Sequence, residues 1–370
     1  MKMKSLITSA LLLLALLLPS TAAAYDFEVD GIYYKINGNE VKVTYQREFP
    51  GLYNDYPGTV VIPATVTYNG TTYSVTAIGD GAFCYCSGLT NIVIPNSVSS
   101  IGSNAFSGCE GLTSIDIPNS VTAIGDHAFD DTAWYNNQPD GLVYAGKVAY
   151  KYKGTMPSGT NMTFKEGTLG IADYAFEGCE GLTSIVIPNS VADIGTGAFA
   201  GCTSLTSIVV ESGNPKYDSR NNCNGIIETT YNELIVGCKN TIIPNSVTYI
   251  GDWAFSGCTG LTSIVIPNSV TDIWESAFQG CTGLTSIVIP NSVTEIGSWA
   301  FRGCSELSDV YCYITDFSSV SCGNEQFSLD NGDYSGRTLH VLQGTADAYR
   351  ADKNWYPYFG QIVEDIFMGD

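Results

Sequence analysis

The sequence contains little histidine and little positive charge. Its 370 residues include two histidines, and 16 Lys+Arg stand against 37 Asp+Glu, which gives a formal net charge of −21. Such an acidic chain repels the phosphates of nucleic acids and the headgroups of anionic membranes. No run of basic residues offsets this repulsion. We therefore expect neither nucleic acid nor an anionic lipid surface as a partner.

Catalytic and cofactor-binding motifs are also missing. The sequence has no G-x-S-x-G, P-loop, EF-hand loop or Cys/His zinc spacing. His127 falls at a variable position of a repeat and His340 falls in a strand-like segment near the C-terminus. A catalytic base must also meet a nucleophile and an orienting group, and none is recognisable beside either histidine. The sequence predicts a protein without enzymatic activity and without a cofactor.

Long apolar runs are absent after the first residues. Lys2 and Lys4 precede the run "LLLLALLLP", and small residues lead up to Tyr25. This order is typical of a secretory signal peptide, which we expect over residues 1–24 with cleavage after Ala24. The apolar run is short for a membrane span. The mature chain is therefore expected to be secreted or held at the cell surface without inserting into a membrane.

A repeat of 23 residues dominates what is present. The unit reads L-x-x-I-x-I-P-x-x-V-x-x-I-G-x-x-A-F-x-G-C, and a period in the twenties indicates a solenoid in which each coil buries its apolar side against its neighbours. We count about eight such coils by this period. The phenylalanine of the unit recurs at Phe83, Phe106, Phe129, Phe176, Phe199, Phe255, Phe278 and Phe301.

Each unit predicts one strand and one tight turn. In "LTSIVIP" apolar and polar residues alternate, so Leu284, Ile287 and Ile289 should point inward, and Pro290 should end the strand. The segment around Phe301 is too short for an independent helix and predicts a helical or 3₁₀ turn. The fold class is therefore a β-rich solenoid of right-handed coils, with a parallel sheet on one face.

The recurring motifs IPNSV, IGxxAF and GCxxLTSI resemble the BspA-like leucine-rich repeat family of microbial surface proteins. The resemblance covers residues 59–315. It implies a leucine-rich-repeat solenoid and adhesion to host extracellular proteins, epithelial cells or other microbes. The unit departs from the commonest leucine-rich repeat, because proline follows the strand and cysteine precedes the leucine. A strongly curved horseshoe is therefore not implied.

Two inserts and two caps interrupt or flank the period. Residues 130–161 and 214–240 each contain two strand-like runs and predict hairpins between coils, which need not disturb the stack. Residues 25–58 predict an N-terminal hairpin cap that turns at Asn37-Gly38. Residues 316–370 lose the period and keep a strand followed by a short helix, which predicts a C-terminal cap.

Twelve cysteines in an exported chain would ordinarily indicate disulfides. Parallel in-register side chains do not bring Cβ atoms to disulfide distance, so the repeated cysteines are predicted to be buried free thiols that pack. Cys223 and Cys238 flank the second hairpin symmetrically, and a disulfide between them is left open. The repeated cysteines are Cys86, Cys109, Cys179, Cys202, Cys258, Cys281 and Cys304.

The residues between the core positions of each strand should face outward. Stacked coils would align them into a Ser/Val strip, which is either a surface for a protein partner or a row of strand formers that copied repeats simply retain. Near-identical coils would offer one weak site several times. The strip residues are Ser184, Val186, Ser207, Val209, Ser263, Val265, Ser286 and Val288.

Variable positions supply two further candidates. Rings at Tyr174, Tyr249, Trp253, Trp274 and Trp299 could stack on sugars or anchor a protein, or be partly buried against the next coil. Carbohydrate capture by the three tryptophans is the alternative function, and a structural scaffold is a third. The register also stacks acidic residues, which either are solvated or form a weak calcium site. These acids are Asp252, Asp272, Glu275 and Glu295.

Overall fold

The computed structural model describes residues 24–46, 56–316 and 320–367. The signal peptide expected over residues 1–24 lies outside these ranges except for its last residue. The chain forms two compact units, residues 1–138 and 139–370. The period predicts a single solenoid domain, but the division falls inside the first insert, where the period is broken.

The first unit contains nine strands and one short helix in its described part. They are β1 (Phe27–Val29), β2 (Ile32–Asn37), β3 (Glu40–Thr44), β4 (Gly58–Val61), β5 (Thr65–Tyr68), β6 (Thr71–Ile78), β7 (Leu89–Val93), β8 (Ser100–Ile101), β9 (Ala123–Ile124) and α1 (Ala133–Asn136).

An antiparallel hairpin covers the first coil of this unit. Strands β2 and β3 pair with Asn37 opposite Glu40, so Gly38 and Asn39 form the turn, one residue later than the sequence suggests. Gly38 has a positive φ of 63°, a backbone conformation that residues with a Cβ adopt less readily than glycine. Strand β3 then pairs in parallel with β6, and β6, β8 and β9 continue the sheet. The hairpin thereby satisfies the backbone at the sheet edge, as a solenoid cap must.

The second unit contains the remaining strands. They are β10 (Gly141–Ala145), β11 (Val148–Lys153), β12 (Thr160–Met162), β13 (Gly170–Ile171), β14 (Leu182–Ile187), β15 (Asp193–Ile194), β16 (Ser207–Val210), β17 (Tyr217–Asp218), β18 (Ile226–Glu228), β19 (Glu233–Val236), β20 (Tyr249–Ile250), β21 (Asp272–Ile273), β22 (Ser286–Ile289), β23 (Glu295–Ile296), β24 (Asp309–Cys312), β25 (Ser321–Cys322), β26 (Thr338–Leu342) and β27 (Gln361–Ile366). A short helix, α2 (Ala346–Ala351), precedes β27, and single 3₁₀ turns occur at Arg220–Asn222 and Tyr356–Tyr358.

These strands form four sheets, which confirm the β-rich solenoid. Two follow the predicted strand of the repeat, with orders β12-β14-β16 and β22-β24-β26-β27, and all their pairs are parallel. The other two, β10-β11-β13-β15 and β17-β18-β19-β20-β21-β23-β25, run through the second short strand of each coil. The predicted hairpins are β10–β11 and β18–β19, and each contributes its second strand to a parallel ladder.

Stacked phenylalanine rings form the centre of the core. In the first unit the rings of Phe83, Phe106 and Phe129 follow one another at 5.3 and 5.5 Å. In the second unit Phe176 stacks on Phe199 at 5.2 Å. A four-ring ladder then runs through Phe255, Phe278, Phe301 and Phe327 at 4.9–5.2 Å. The spacing is that expected of parallel rungs, because in-register strands lie about 4.8 Å apart.

The repeated cysteines are buried beside these rings, and four of their thiols donate a hydrogen bond to the preceding coil. The Sγ of Cys109 lies 3.0 Å from the carbonyl oxygen of Phe83 in the preceding coil. The same bond joins Cys202 to Phe176, Cys281 to Phe255 and Cys304 to Phe278, each at 3.2 Å. All twelve cysteines are free thiols, so the disulfide left open between Cys223 and Cys238 is not formed.

The second insert disturbs the stack, contrary to expectation. On the edge of β16 the amide of Ile208 donates to Asn224 Oδ1, and the amide of Val210 donates to Ser219 Oγ. Residues of the insert therefore occupy the place of the next strand. At the turn, by contrast, the amide of Gly201 bonds directly to the carbonyl oxygen of Ser256, 2.9 Å away, so the coils stack there across the insert.

Two copies of the repeat that follow the second insert have the same sequence but differ in structure. Residues 257–270 and 280–293 have identical sequences, GCTGLTSIVIPNSV. The second copy forms β22, whereas residues 261–266 of the first, all within the described ranges, form no strand. In the first unit, residues 112–117 likewise contribute only an isolated bridge between Val93 and Asp116. The prediction of one strand per repeat is therefore wrong for these two coils.

The C-terminal cap closes the second unit with β26, α2 and β27. Arg337 is buried and donates to the carbonyl oxygens of Cys304, Leu307 and Phe327 at 2.6–3.0 Å. The guanidinium thus takes the place of the backbone donors that another coil would supply to these three carbonyl oxygens. Within the described ranges, no helix has the length and apolarity needed to cross a bilayer.

Candidate functional site

Outward aliphatic side chains of the second unit recur at one repeat position, and we call them the outward strip. Ser219 and Asn224 of the second insert separate its first two members from the last three. Val186 on β14 and Val209 on β16 are register partners in adjacent parallel strands, so their side chains lie side by side. Ile242 holds the same repeat position in the next coil, a member that the sequence reasoning missed because its coil lacks the "LTSI" motif. The exposed fractions are 40% for Val186, 46% for Val209, 75% for Ile242, 80% for Val265 and 42% for Val288.

The serines of the predicted strip are less prominent. Ser263 is exposed, whereas Ser184, Ser207 and Ser286 are half-buried. Ser184 donates its hydroxyl to Asn161 on the first insert. The aliphatic side chains therefore carry most of the outward surface of these strands.

The strip changes character at the C-terminal cap. Val288 pairs in register with Tyr311, and Tyr311 pairs with His340. The rings of Tyr311 and His340 stack at 4.3 Å. Each ring nitrogen of His340 contacts a carboxylate: Nδ1 lies 2.8 Å from Asp365 Oδ2, and Nε2 lies 3.1 Å from Asp309 Oδ1. The strip is therefore aliphatic in the coils and aromatic and charged on the cap.

The position two residues before each repeat phenylalanine has a left-handed backbone in every coil, a feature that the sequence did not reveal. Its φ lies between 51° and 61°, where side chains are disfavoured by about 1–2 kcal/mol. Glycine and asparagine tolerate this conformation best. The residues at this position are Gly81, Asn104, His127, Tyr174, Gly197, Trp253, Ser276 and Trp299.

The five candidate aromatic residues are half-buried and lie outside the phenylalanine core. Tyr174 meets Trp253 edge to face at 5.9 Å. Tyr249 stacks on Trp274 at 5.4 Å, with the rings inclined by 26°. Trp299 is separate from both pairs and donates its indole N–H to Glu325, 3.3 Å away. The structure therefore brings four of the five rings together in pairs.

The acidic candidates do not form a calcium site. Asp252 Oδ1 accepts the backbone N–H of Glu275 at 2.8 Å, and Asp80 and Asp173 hold the next coil in the same way. Asp272 pairs in register with Glu295 and accepts the hydroxyl of Thr271. Among the described residues, no three His, Cys, Asp or Glu side chains come close enough to hold a metal ion. These carboxylates link coils instead.

His127 is the second histidine, and it is half-exposed. Its Nδ1 contacts Asp126 and its Nε2 lies 3.8 Å from Asp130. Like His340, it is therefore placed between carboxylates, and the contacts described for the two rings include no serine, threonine or cysteine nucleophile.

Comparison with solved structures finds leucine-rich repeat proteins. A leucine-rich cell surface protein from Faecalibacterium prausnitzii is 22% identical, with 93% of this chain and 95% of that chain covered and a TM-score of 0.37. A leucine-rich repeat protein from Bacteroides ovatus is 28% identical, with 93% and 90% covered and a TM-score of 0.35. One from Eubacterium ventriosum is 20% identical, with 92% and 83% covered and a TM-score of 0.47.

Comparison with curated proteins gives no match. The sequence model of the BspA type leucine-rich repeat region, however, matches six copies in residues 76–139, 145–235 and 226–329. These ranges cover coils of both units, with their phenylalanine and cysteine ladders. The chain therefore belongs to the BspA-type leucine-rich repeat family.

Proposed function

We propose that the chain is a non-catalytic binding protein, exported to the cell surface or beyond it, that holds extracellular proteins against the outward strip. The observation that carries the proposal is the exposure of five aliphatic side chains at one repeat position of the second unit, two before the second insert and three after it. Exposed aliphatic side chains that recur in this way on a folded protein are typical of an interaction surface. The five aliphatic positions carry no charge, whereas the cap end of the strip does, so a partner surface with an apolar centre fits the coils best.

The fold does not require valine at these positions. Asp116 holds the equivalent position in the first unit, where it still bridges to Val93. A polar residue is thus compatible with the coil. If the repeats kept valine only because it favours strands, threonine would do equally well, because it favours strands too. Five aliphatic residues in one unit therefore favour binding over simple strand formation.

Repetition supplies the mechanism. Coils that present nearly the same side chains offer the same weak contact several times, and linked contacts bind more tightly than any one of them. A long or repetitive partner would gain most from this arrangement. Binding of this kind needs no catalytic group.

Biosensor measurements on residues 25–370 against purified extracellular matrix proteins test the proposal. Val265→Lys and Val288→Lys should each weaken binding by at least about tenfold. Thr282→Lys is the matched control, because Thr282 is exposed in the coil of Val288 but lies off the strip. Unchanged binding by both valine variants would contradict the proposal, as would hydrolysis of a substrate that is lost on mutation of His127 or His340.

Carbohydrate capture is a second candidate. The observation that favours it is that Trp253, Trp274 and Trp299 are half-buried at the surface rather than packed in the core. Rings in such positions can stack on the faces of sugars. A scaffold role without a soluble ligand would be left if neither proteins nor glycans bound.

A further inference from the structure

A cleft of about 290 Å³ lies beside the second insert, within the second unit. The hairpin β18–β19 forms one wall, and the turn after β15, with Gly195 and Gly197, forms another. Asp252, one residue before Trp253, completes the lining on the following coil. The period alone does not reveal this cleft, because the insert supplies half of it.

The wall of the cleft contains carboxyl groups with different surroundings. Glu228 is buried and its Oε2 accepts the backbone N–H of Tyr231 at 2.9 Å. Lys216, which also lines the cleft, is paired with Asp193 at 3.3 Å. Burial, followed by repulsion from Asp252 and Glu228, raises the pKa of Glu233 to about 7. Near neutral pH the Glu233 carboxyl can therefore both donate and accept hydrogen bonds.

Aromatic rings lie next to residues that line the cleft on two sides, although Tyr174, Trp253, Tyr249 and Trp274 are not part of the lining. The ring of Tyr174 lies over Gly197 of the lining, where a Cβ would come within 2.5 Å of it, and Tyr174 also contacts Trp253. On the other side Tyr249 is the register partner of Glu233 and stacks on Trp274. Tyr231, which is 64% exposed, lies at the mouth.

These rings occupy positions where folding favours smaller residues. Tyr174 and Trp253 have positive φ, which disfavours any side chain. Trp274 stands where most other coils have glycine, and a Cβ at the equivalent Gly297 would come within 2.6 Å of the backbone of the preceding coil. Local backbone preference therefore does not account for the rings.

We propose that this cleft binds one neutral pyranose unit of a glycan, with an aromatic ring of the border against the sugar face. A pyranose has C–H groups on its faces and hydroxyls on its edges, which match flat rings beside carboxyl, ammonium and phenol groups. The three carboxyl groups of the wall disfavour uronic and sialic acids. The proposal rests on the carbohydrate candidate above and names its site.

Titration with methyl glycosides of neutral hexoses and N-acetylhexosamines, followed by tryptophan fluorescence and saturation-transfer NMR, tests the proposal. Trp253→Gly, which also removes the backbone strain, and Glu233→Ala should each weaken binding by about tenfold. Trp299→Gly and Glu295→Ala are the matched controls and should bind as the parent does. Trp299 holds the repeat position of Trp253 and Glu295 continues the register of Glu233, but neither is next in the chain to a residue that lines the cleft.

The proposal is overturned if no glycoside binds at millimolar concentration, or if Trp299→Gly loses as much affinity as Trp253→Gly. Binding of N-acetyl-lysine methylamide without any glycoside would overturn it as well, because the cleft would then be a site for basic peptides. Val288→Lys should keep glycoside binding while losing protein binding. Failure of the cleft and failure of the outward strip are thus distinguished.

Discussion

The thiol of Cys281 donates a hydrogen bond to the carbonyl oxygen of Phe255, 3.2 Å away in the preceding coil. The same oxygen accepts the amide of Cys258 at 2.9 Å. Cysteine therefore contributes both a small apolar volume and a weak donor beside the phenylalanine ladder. This explains why the repeats keep cysteine in a chain that forms no disulfide among these residues.

Cys281→Ala should lower the free energy of unfolding by about 1–2 kcal/mol, because it leaves a void and removes the thiol donor. Urea denaturation monitored by circular dichroism measures the loss. Thr282→Ala is the control, because its side chain is exposed. A Cys281→Ala protein as stable as the parent would show that the thiol contact does not hold the coils together.

All twelve cysteines should be alkylated when the protein is unfolded without reductant. In the folded protein burial raises the pKa of Cys281 well above its usual value, so its thiol should react slowly with iodoacetamide. Mass spectrometry counts the added groups. Ten instead of twelve, with Cys223 and Cys238 unmodified, would demonstrate the disulfide that the structure lacks.

Asp252→Ala should destabilise the second unit by about 1 kcal/mol, because the backbone N–H of Glu275 loses its acceptor. Asp252→Asn keeps a carbonyl oxygen at the same place and should retain most of the stability. Thermal unfolding of the two variants separates a coil-linking role from a general effect of charge. Equal losses in both variants would argue against the hydrogen bond as the cause.

His340 should make the C-terminal cap more stable in mild acid. Burial lowers the pKa of His340, but hydrogen bonds to Asp309 and Asp365 outweigh it and raise the pKa above 6.5. Tyr311 stacks on the ring from the same strand as Asp309. Because the native pKa is raised, this stabilisation is fully present below pH 6.5 and is lost as pH rises through the native pKa.

The stability difference between the parent and His340→Gln measures this contribution. It should be larger at about pH 5.5 than at about pH 8.5. Glu233 titrates in the same range in both proteins and cancels from the difference. A difference that stays constant or grows with pH would contradict the assignment of a charged imidazole between two carboxylates.

The repeat ladders could be predicted from sequence because one local rule applies in every coil. Alternation places Leu284, Ile287 and Ile289 inside, and all three are buried. The period then places each phenylalanine above the next. Neither step requires knowledge of the neighbouring coils, so the inward positions and the ring ladder follow from the unit alone. Burial still varies between copies, because Ile264 is half-buried where the equivalent Ile287 is buried.

Neighbouring residues decide the features that the sequence did not predict. Val265 and Val288 occupy the same place in identical copies, yet one is 80% exposed outside any strand and the other is 42% exposed within β22. Ser219 and Asn224 of the second insert bond to β16 in place of a strand. Where an insert docks is set by long-range contacts, which a period does not encode.

The cleft escaped prediction for the same reason. Glu233 belongs to the insert and Trp253 to a repeat coil, and only the parallel pairing of β19 with β20 brings their segments together. The left-handed position of Trp253 is also invisible in a repeat whose members there include Asn104 and Ser276. The tryptophans themselves could be identified, because variable positions are where copies of one unit can differ in function.

One comparison tests the central claim most directly: binding of the parent, Val265→Lys/Val288→Lys and Trp253→Gly proteins to a panel of immobilised matrix proteins and neutral glycans. The account predicts that the valine variant loses protein binding and keeps glycan binding. It predicts the reverse for Trp253→Gly. Protein binding that survives both lysines would contradict the assignment of the outward strip as the adhesive surface of this chain.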